Sequence, residues 1–346
     1  MAKRSKAKKT TIVDIAEASG VSIATVSRII NNKPDVAEKT RQRVLKLMEE
    51  HAFAPQIPWQ QLRSGKSPFI ALNFPQDFNP PSQGIITAAA LGCENADYSL
   101  NLIAKSLGDN DLLSIYRSGQ SDGIILMEIL LHDRRVELLQ EHELPFVMVG
   151  RCADNTDLNY VDVNIEKGVA DAIQHLYDLG HRQIGFVTLV PVLKEKEYGY
   201  TTWAVKGYEE MCQKYNLPVL WRVVDLNTDN AQSIALALLE ENPDMTAIVT
   251  PQQIGVLGVL KAIRAKGLRI PDDISVIGLL DDPMGELMTP PLTTISFPAY
   301  EMGVEAARIL IGHLEGTING VQQVLLRPEL IIRGSTGSVR AHTIGS

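Results

Sequence analysis

The sequence predicts a mixed α + α/β class: a small three-helix head carrying a helix-turn-helix, then a long α/β region built on parallel sheets. Three observations support this. The first sixty residues contain three short helix-patterned segments punctuated by caps and a glycine. From Phe69 onward, short apolar runs alternate with helical stretches, the pattern of parallel strands joined by right-handed crossovers. Charge divides at the same place: residues 1–66 hold 13 Lys and Arg against 6 Asp and Glu, while the rest of the chain holds 20 against 35. The net charge of −8 thus conceals a basic head on an acidic body, an asymmetry typical of nucleic-acid binders.

Lys3–Lys9 read as a disordered basic tail offering non-specific attraction to phosphate. Thr11–Gly20 reads as a first helix, with Thr11 as cap, Ile12, Ile15 and Ala16 on one face, and Gly20 ending it. Val21–Asn31 reads as a second, capped by Ser22. Val26, Ile29 and Ile30 recur at helical spacing toward a small core, which places Ile23, Ala24, Ser27, Arg28 and Asn31 together on the outer face. Small residues there permit close approach to a groove; Arg can bond a guanine edge bidentately and Asn an adenine edge. Alone, this stretch favours an ordinary amphipathic surface helix; its neighbours reverse that reading. Helix, glycine turn and capped helix together form the helix-turn-helix pattern. Glu38–His51 supplies Val44, Leu45, Leu47 and Met48 to close the core.

Ala54–Ser67 is a boundary, since Pro55 and Pro58 break the preceding helix. Gly65-Lys66-Ser67 mimics the end of a phosphate loop, but Gln60 stands where its first glycine is required. Beyond it, FIALNF, NLIAKS, GIILM, FVMVG, YVDV, QIGFV, RVVDL, AIVT and SVIGL read as strands, and the brief Leu107–Asp122 implies a short crossover helix. With 45% hydrophobic residues a proper core is available, and no apolar run is long enough to span a membrane. The basic N-terminus has no apolar stretch behind it, so it is not a secretory signal. Cys93, Cys152 and Cys212 have neither metal-ligand nor redox spacing, consistent with a reducing cytoplasm. No HExxH, GxSxG, GxGxxG or full phosphate loop is present, and the seven His are dispersed. No catalytic group, metal or cofactor is expected.

The words TIVDIAEASGVSIATVSRIINN, KTRQRVLKLMEEHAFAP, QQLRSGKS, HLYDLGHRQIGFV, IPDDISVIG and TPPLTTI, in this order, closely resemble the lactose-repressor (LacI/GalR) family of bacterial transcription regulators. The resemblance implies a DNA-binding domain over 1–54, a hinge helix over 55–67, and a two-lobed effector and dimerisation domain over 68–335 like periplasmic sugar-binding proteins. Lobe one would cover about 68–162 and 293–323, lobe two about 163–292 and 324–335, with a tail over 336–346. It implies a cytoplasmic, homodimeric, operator-binding repressor with a small-molecule effector, a carbohydrate by family habit, and no membrane partner. DNA contacts would come from Thr11, Ser22, Ile23, Ala24, Thr25, Ser27, Arg28 and Asn31, with Leu62 wedged into the minor groove to bend the duplex. Pro58 and Trp59 depart from the small or β-branched residues usual in that hinge. The tail lacks leucine heptads, so no tetramerising helix is expected.

Ligands of doubly wound sheets bind at the carboxyl ends of the strands. On that basis the resemblance carries effector contacts onto Phe78, Asn79, Met127, Arg151, Tyr200, Trp203, Gln252 and Asp281. The second lobe departs from the family. Ala204 stands where the family has an Arg before its Gly-aromatic pair, here Gly207-Tyr208. Gln252-Gln253 replaces Asn-Asp, and Leu280 falls on the ligand Asp. Three readings stay open: a sugar held by aromatic stacking and amides, a less polar ligand, or a degenerate site with a partner protein as the signal. Tyr198, Tyr200 and Trp203 would otherwise be packing residues, and Asp281 a strand-end cap.

Overall fold

The structure, a computed structural model, describes residues 11–30, 35–51, 69–74, 80–189, 197–224, 227–280 and 282–339. Asn31, the hinge with Leu62, and Phe78, Asn79 and Asp281 lie outside the described residues. The chain divides into two units, Met1–Pro68 and Phe69–Ser346.

In the first unit, α1 (Ile12–Ser19), α2 (Ile23–Ile30) and α3 (Glu38–Glu50) pack on one another. Thr11 starts α1 through a capping box: Asp14 N–H donates to its hydroxyl, and its own N–H donates to the Asp14 carboxylate at 2.7 Å. Gly20 ends α1 at φ 66°, a left-handed conformation that favours glycine. Ile15, Ala16, Val26, Ile29, Val44 and Met48 form the core. Leu45 does not join them and is 43% exposed. Val44 and Met48, four residues apart, share the inward stripe of α3, and Leu45 lies one position off it.

The second unit holds two six-stranded sheets. Its elements, in chain order, are β1 (Phe69–Asn73), α4 (Pro80–Glu94), β2 (Ser99–Ile103), α5 (Asp109–Arg117), β3 (Gly123–Leu126), α6 (Arg134–Glu141), β4 (Phe146–Val149), β5 (Tyr160–Val163), α7 (Ile165–Asp178), β6 (Ile184–Leu189), α8 (Gly199–Tyr215), β7 (Leu220–Val224), α9 (Thr228–Glu241), β8 (Ala247–Thr250), α10 (Gln253–Ala265), β9 (Ser275–Gly278), α11 (Asp282–Leu287), β10 (Thr293–Ile295), α12 (Ala299–Glu315), β11 (Gln323–Leu326) and β12 (Leu330–Ile331). Sheet one runs β2-β1-β3-β4-β5-β11 with every pair parallel. Sheet two runs β7-β6-β8-β9-β10-β12, parallel except for β12. β3, β8 and β9 are buried throughout, which is why they read as unbroken apolar runs. The principal apolar cluster is continuous from sheet one into sheet two.

Several boundaries differ from expectation. β10 pairs with β9, so the chain leaves lobe two after residue 295 rather than 292. β11 pairs with β5, so the last crossing follows residue 326 rather than 323. β2 and β7 each begin two residues earlier than their apolar runs suggested, and β10, β11 and β12 were not predicted. These last are two to four residues long; β11 is a half-exposed edge whose apolar run is only Val324-Leu325-Leu326.

Residues 336–339 are not a free tail but are stitched to lobe two. Val339 N–H donates to the Leu179 carbonyl at 3.1 Å, and the Thr336 hydroxyl lies 3.0 Å from His175 Nε2. His181 is buried, with Nε2 2.9 Å from the Gly337 carbonyl and Nδ1 2.8 Å from the Thr246 hydroxyl. Only a neutral ring donating from Nε2 and accepting at Nδ1 satisfies the carbonyl and lets the hydroxyl donate. Burial lowers the pKa of both His175 and His181. A histidine whose folded pKa is depressed contributes stability above its unfolded pKa of about 6.5 and loses it as pH falls through that value. The contribution of these rings is therefore expected to fall between about pH 7 and 5.5, so the wild type should lose ground to His181→Asn in melting temperature over that range; a difference between the two that does not change with pH would contradict the role.

Candidate nucleic-acid interface and inter-lobe site

The head turns one face of α2 outward. Ser22, Ile23, Ala24 and Arg28 are exposed, and Thr25 and Ser27 are half-buried. Ser22 caps the helix, accepting the Thr25 N–H at 3.1 Å, and its hydroxyl lies 2.9 Å from that of Thr25. Arg28 Nε rests 3.6 Å from an Asp35 carboxylate oxygen, both side chains being about half-exposed. An exposed pair of this kind is worth only about 0–1 kcal/mol, so Arg28 can leave it for another acceptor.

In the second unit both sheets place their switch points, where strand order reverses, at equivalent positions: between β1 and β3 in sheet one, and between β6 and β8 in sheet two. Such crevices at the carboxyl ends of strands are where doubly wound folds bind ligands. In lobe one, the fully buried Asn73 ends β1 and donates to the Ile103 and Lys105 carbonyls. Met127 follows β3 and is buried in the apolar core. Glu128 comes next, in the left-handed region at φ 54°. Burial pushes its carboxyl up to about 7, against the pull of Arg135.

In lobe two, Gln252 stands at the start of α10 and its Oε1 accepts the buried Thr188 hydroxyl at 3.1 Å. The Tyr200 hydroxyl donates to the Pro251 carbonyl at 2.8 Å, and its ring meets Phe297 edge-on, centroids 6.3 Å apart. The Tyr200, Pro251, Gln252 and Thr188 groups thus form one connected cluster at the ends of β6 and β8. Ala204 and Leu280 are buried among apolar side chains and bring no polar group to it.

Arg151 joins the lobes. Gly150, at φ 118° and against Ile129, turns the chain after β4 and delivers it. Its Nε donates to Asp162 at 2.7 Å and its NH2 to Glu166 in the first turn of α7 at 2.9 Å. The guanidinium lies 4.9 Å from the Trp203 ring centroid. Burial pushes Asp162 up to about 6, against the hydrogen bond and charge of Arg151. Burial also works against the Arg151 charge, but Asp162 and Glu166 outweigh it and raise its pKa. Trp203 Nε1 is buried with no hydrogen-bond partner among the described residues. The three cysteines are buried, which raises their thiols and leaves them unreactive. No group of metal-ligating side chains occurs among the described residues.

A model of bacterial regulatory proteins of the lacI family matches residues 11–56, and one of a periplasmic binding protein-like domain matches residues 173–336. The HTH-type transcriptional regulator DegA of Bacillus subtilis (strain 168) is 30% identical over 343 residues, 95% of this chain and 98% of that protein. The chain belongs to the LacI family. Other LacI-family relatives include the HTH-type transcriptional repressor CytR of Escherichia coli (strain K12), 29% identical over 96% of this chain and 98% of its own. Among solved structures, the Lac repressor dimer bound to operator and the anti-inducer ONPF matches at a TM-score of 0.82 and 25% identity, over 95% of this chain and 100% of that one. The protein is thus a LacI-family DNA-binding transcription regulator, of a family that is not enzymatic. No described helix is long and apolar enough to cross a membrane.

Against the positions that LacI membership suggested, the structure brings Arg151 and Trp203 together, and Tyr200 and Gln252 near a common turn. It sets Met127 into the core. Residues not singled out from the sequence are Asn73, Asp133, Arg135, Asp162, Glu166 and Phe297. Asp162 carried a signal that could have been read: a lone carboxylate inside the apolar run YVDV must find a partner if the strand is buried.

Proposed function

We propose that this protein is an operator-specific repressor, a homodimer whose DNA binding is set by a small molecule held where the two switch points meet. The observation that carries the DNA half is the head: its core side chains are turned inward, while Ile23, Ala24 and Arg28 are left outward on α2. Thr11, Thr25 and Ser27, with Asn31 and Leu62 outside the described residues, complete the proposed contact set. Thr11 and Ser22 also cap their helices, and Thr25 bonds to the Ser22 hydroxyl, so all three hold the helices as well as any phosphate. The Lac repressor dimer on its operator, at 25% identity, and the repressor CytR support this reading.

The effector set is Arg151, Tyr200, Trp203 and Gln252 with Met127, and Phe78, Asn79 and Asp281 outside the described residues. Carbohydrate is the proposed class, because the cluster offers an amide, aromatic faces and a guanidinium rather than an apolar hole. A second reading is favoured by one observation: Arg151 is already held by Asp162 and Glu166 and covers Trp203. If these contacts persist, the signal is a less polar metabolite or a partner protein. A thermal-shift screen against sugars and apolar metabolites separates the two, because a ligand of the folded state raises the melting temperature.

The DNA reading is tested by selecting sites from random duplexes. The expected product is a near-palindrome of about 14–20 base pairs bound by a dimer, as light scattering would show, with affinity falling steeply with salt. Arg28→Ala should cost about 1–3 kcal/mol and relax one position of each half-site. An unchanged sequence preference in that variant would remove α2 from the interface.

A further inference from the structure

The loop after β3 is tied in two directions. Arg135, in the first turn of α6, is largely buried and makes an unusual number of bonds. Its Nε and NH2 donate to the two oxygens of Asp133 at 3.0 and 2.6 Å. NH1 donates to Asn73 Oδ1 at 2.9 Å, and NH2 to the carbonyls of Met127 and Glu128 at 3.1 and 2.9 Å. Asp133 in turn accepts the Leu130 N–H at 3.1 Å. Asn73 holds the chain beyond β2, so one guanidinium unites the ends of three strands with the start of α6. It also sustains Glu128 in the left-handed region, a conformation that persists in a non-glycine residue only where its surroundings impose it.

The other edge of the same loop is bonded to lobe two by main chain. Leu131 N–H donates to the Glu197 carbonyl at 2.8 Å, and Gly199 N–H donates to the Ile129 carbonyl at 3.1 Å. Leu130 and Tyr198 form an antiparallel bridge between them. Main-chain pairing requires a matched register, so it depends on the loop keeping a single shape. Gly199 begins α8, the helix that carries Tyr200 and Trp203.

We infer that Arg135 is a positioning residue for communication between the lobes: it fixes loop 127–133 in the shape that lets Ile129–Leu131 pair with Glu197–Gly199, so the switch point of lobe one and the start of α8 move as one body. Arginine suits this because its planar fork offers five donors, where lysine offers three on a single flexible point. The benefit to regulation rests on the effector reading proposed above; the strap itself does not.

The test is residue-resolved hydrogen exchange on the full chain without effector. The Leu131 and Gly199 amides should be protected in the wild type. Arg135→Ala should speed both by at least about tenfold while Val249 and Ile277, inside sheet two, stay slow. Arg135→Lys should speed them less. Gly199→Ala attacks the strap from the other side, since an added Cβ would lie 2.5 Å from the Arg151 carbonyl. It should expose the Leu131 amide while the Leu130 amide, held by Asp133, stays slow. With Trp59 and Trp221 replaced by Phe, emission from Trp203 should shift to the red in Arg135→Ala and Gly199→Ala as water reaches the indole. Free exchange of Leu131 and Gly199 in the wild type overturns the inference, and so does full protection in Arg135→Ala. Should that variant fail to fold, unchanged exchange in Arg135→Lys overturns it instead. A protein that responds to no small molecule would count against the effector reading and leave the exchange result standing.

Discussion

Arg151→Ala is expected to lose about 3–5 kcal/mol of stability in the second unit and to abolish any effector response, because it strips a buried carboxylate of its partner. Arg151 is 12% exposed and Asp162 6%, so water cannot replace the lost guanidinium at little cost. Asp162 is already pushed up to about 6 by burial with Arg151 present. Without it the carboxyl moves higher. A carboxyl whose folded pKa lies above its unfolded value takes up protons on folding, so stability falls as pH rises through the unfolded and then the folded pKa. Urea unfolding should therefore show the variant recovering stability between about pH 8 and 5, more strongly than the wild type. Asp162→Asn in the same background should return part of the loss, since the two residues are in contact and their effects are not additive. A loss below about 1 kcal/mol at neutral pH would show that the pair is loosely held, as exposed pairs are.

Val26→Asp is expected to unfold the head and reduce operator binding to background while leaving the second unit intact. Val26 is fully buried, and the head core has six buried apolar side chains among the described residues. A domain this small has little stability in reserve, and a buried unpaired carboxylate exceeds it. The second unit has its own cores and need not respond. Thermal unfolding by circular dichroism should show the second-unit transition unmoved; a shift in it would mean that the two units fold as one. Arg28→Ala makes the contrast, because it alters the proposed contact face and leaves the core of the head untouched.

The head was largely legible because its information is local. Caps, the Gly20 turn and the spacing of Val26 and Ile29 lie within one or two helical turns, so elementary helix chemistry predicts them. Leu45 was misassigned because it is as apolar as its neighbours, and only the direction of α3 against the other helices decides which of them faces in. The parallel sheets were legible for a related reason: strands buried on both faces leave unbroken apolar runs. β11 and β12, edge strands half in water, left only the short runs Val324-Leu325-Leu326 and Leu330-Ile331-Ile332 on either side of Pro328.

What the sequence determined by itself was the kind of molecule: a basic helix-turn-helix head, an α/β body of alternating strands and helices, and family words running almost from end to end. What only the tertiary structure decided was which polar side chains are already engaged. Arg151 was legible as a charged residue at the end of a strand, but its partners Asp162 and Glu166 come from β5 and α7, and Trp203 from α8. Arg135 gave no signal at all, since its acceptors are spread over β1, the turn after β3 and the cap of α6. A buried charge is defined by what surrounds it in space. Residues 62 positions apart become neighbours, as Asn73 and Arg135 do, only when the crossovers lay β1 beside β3.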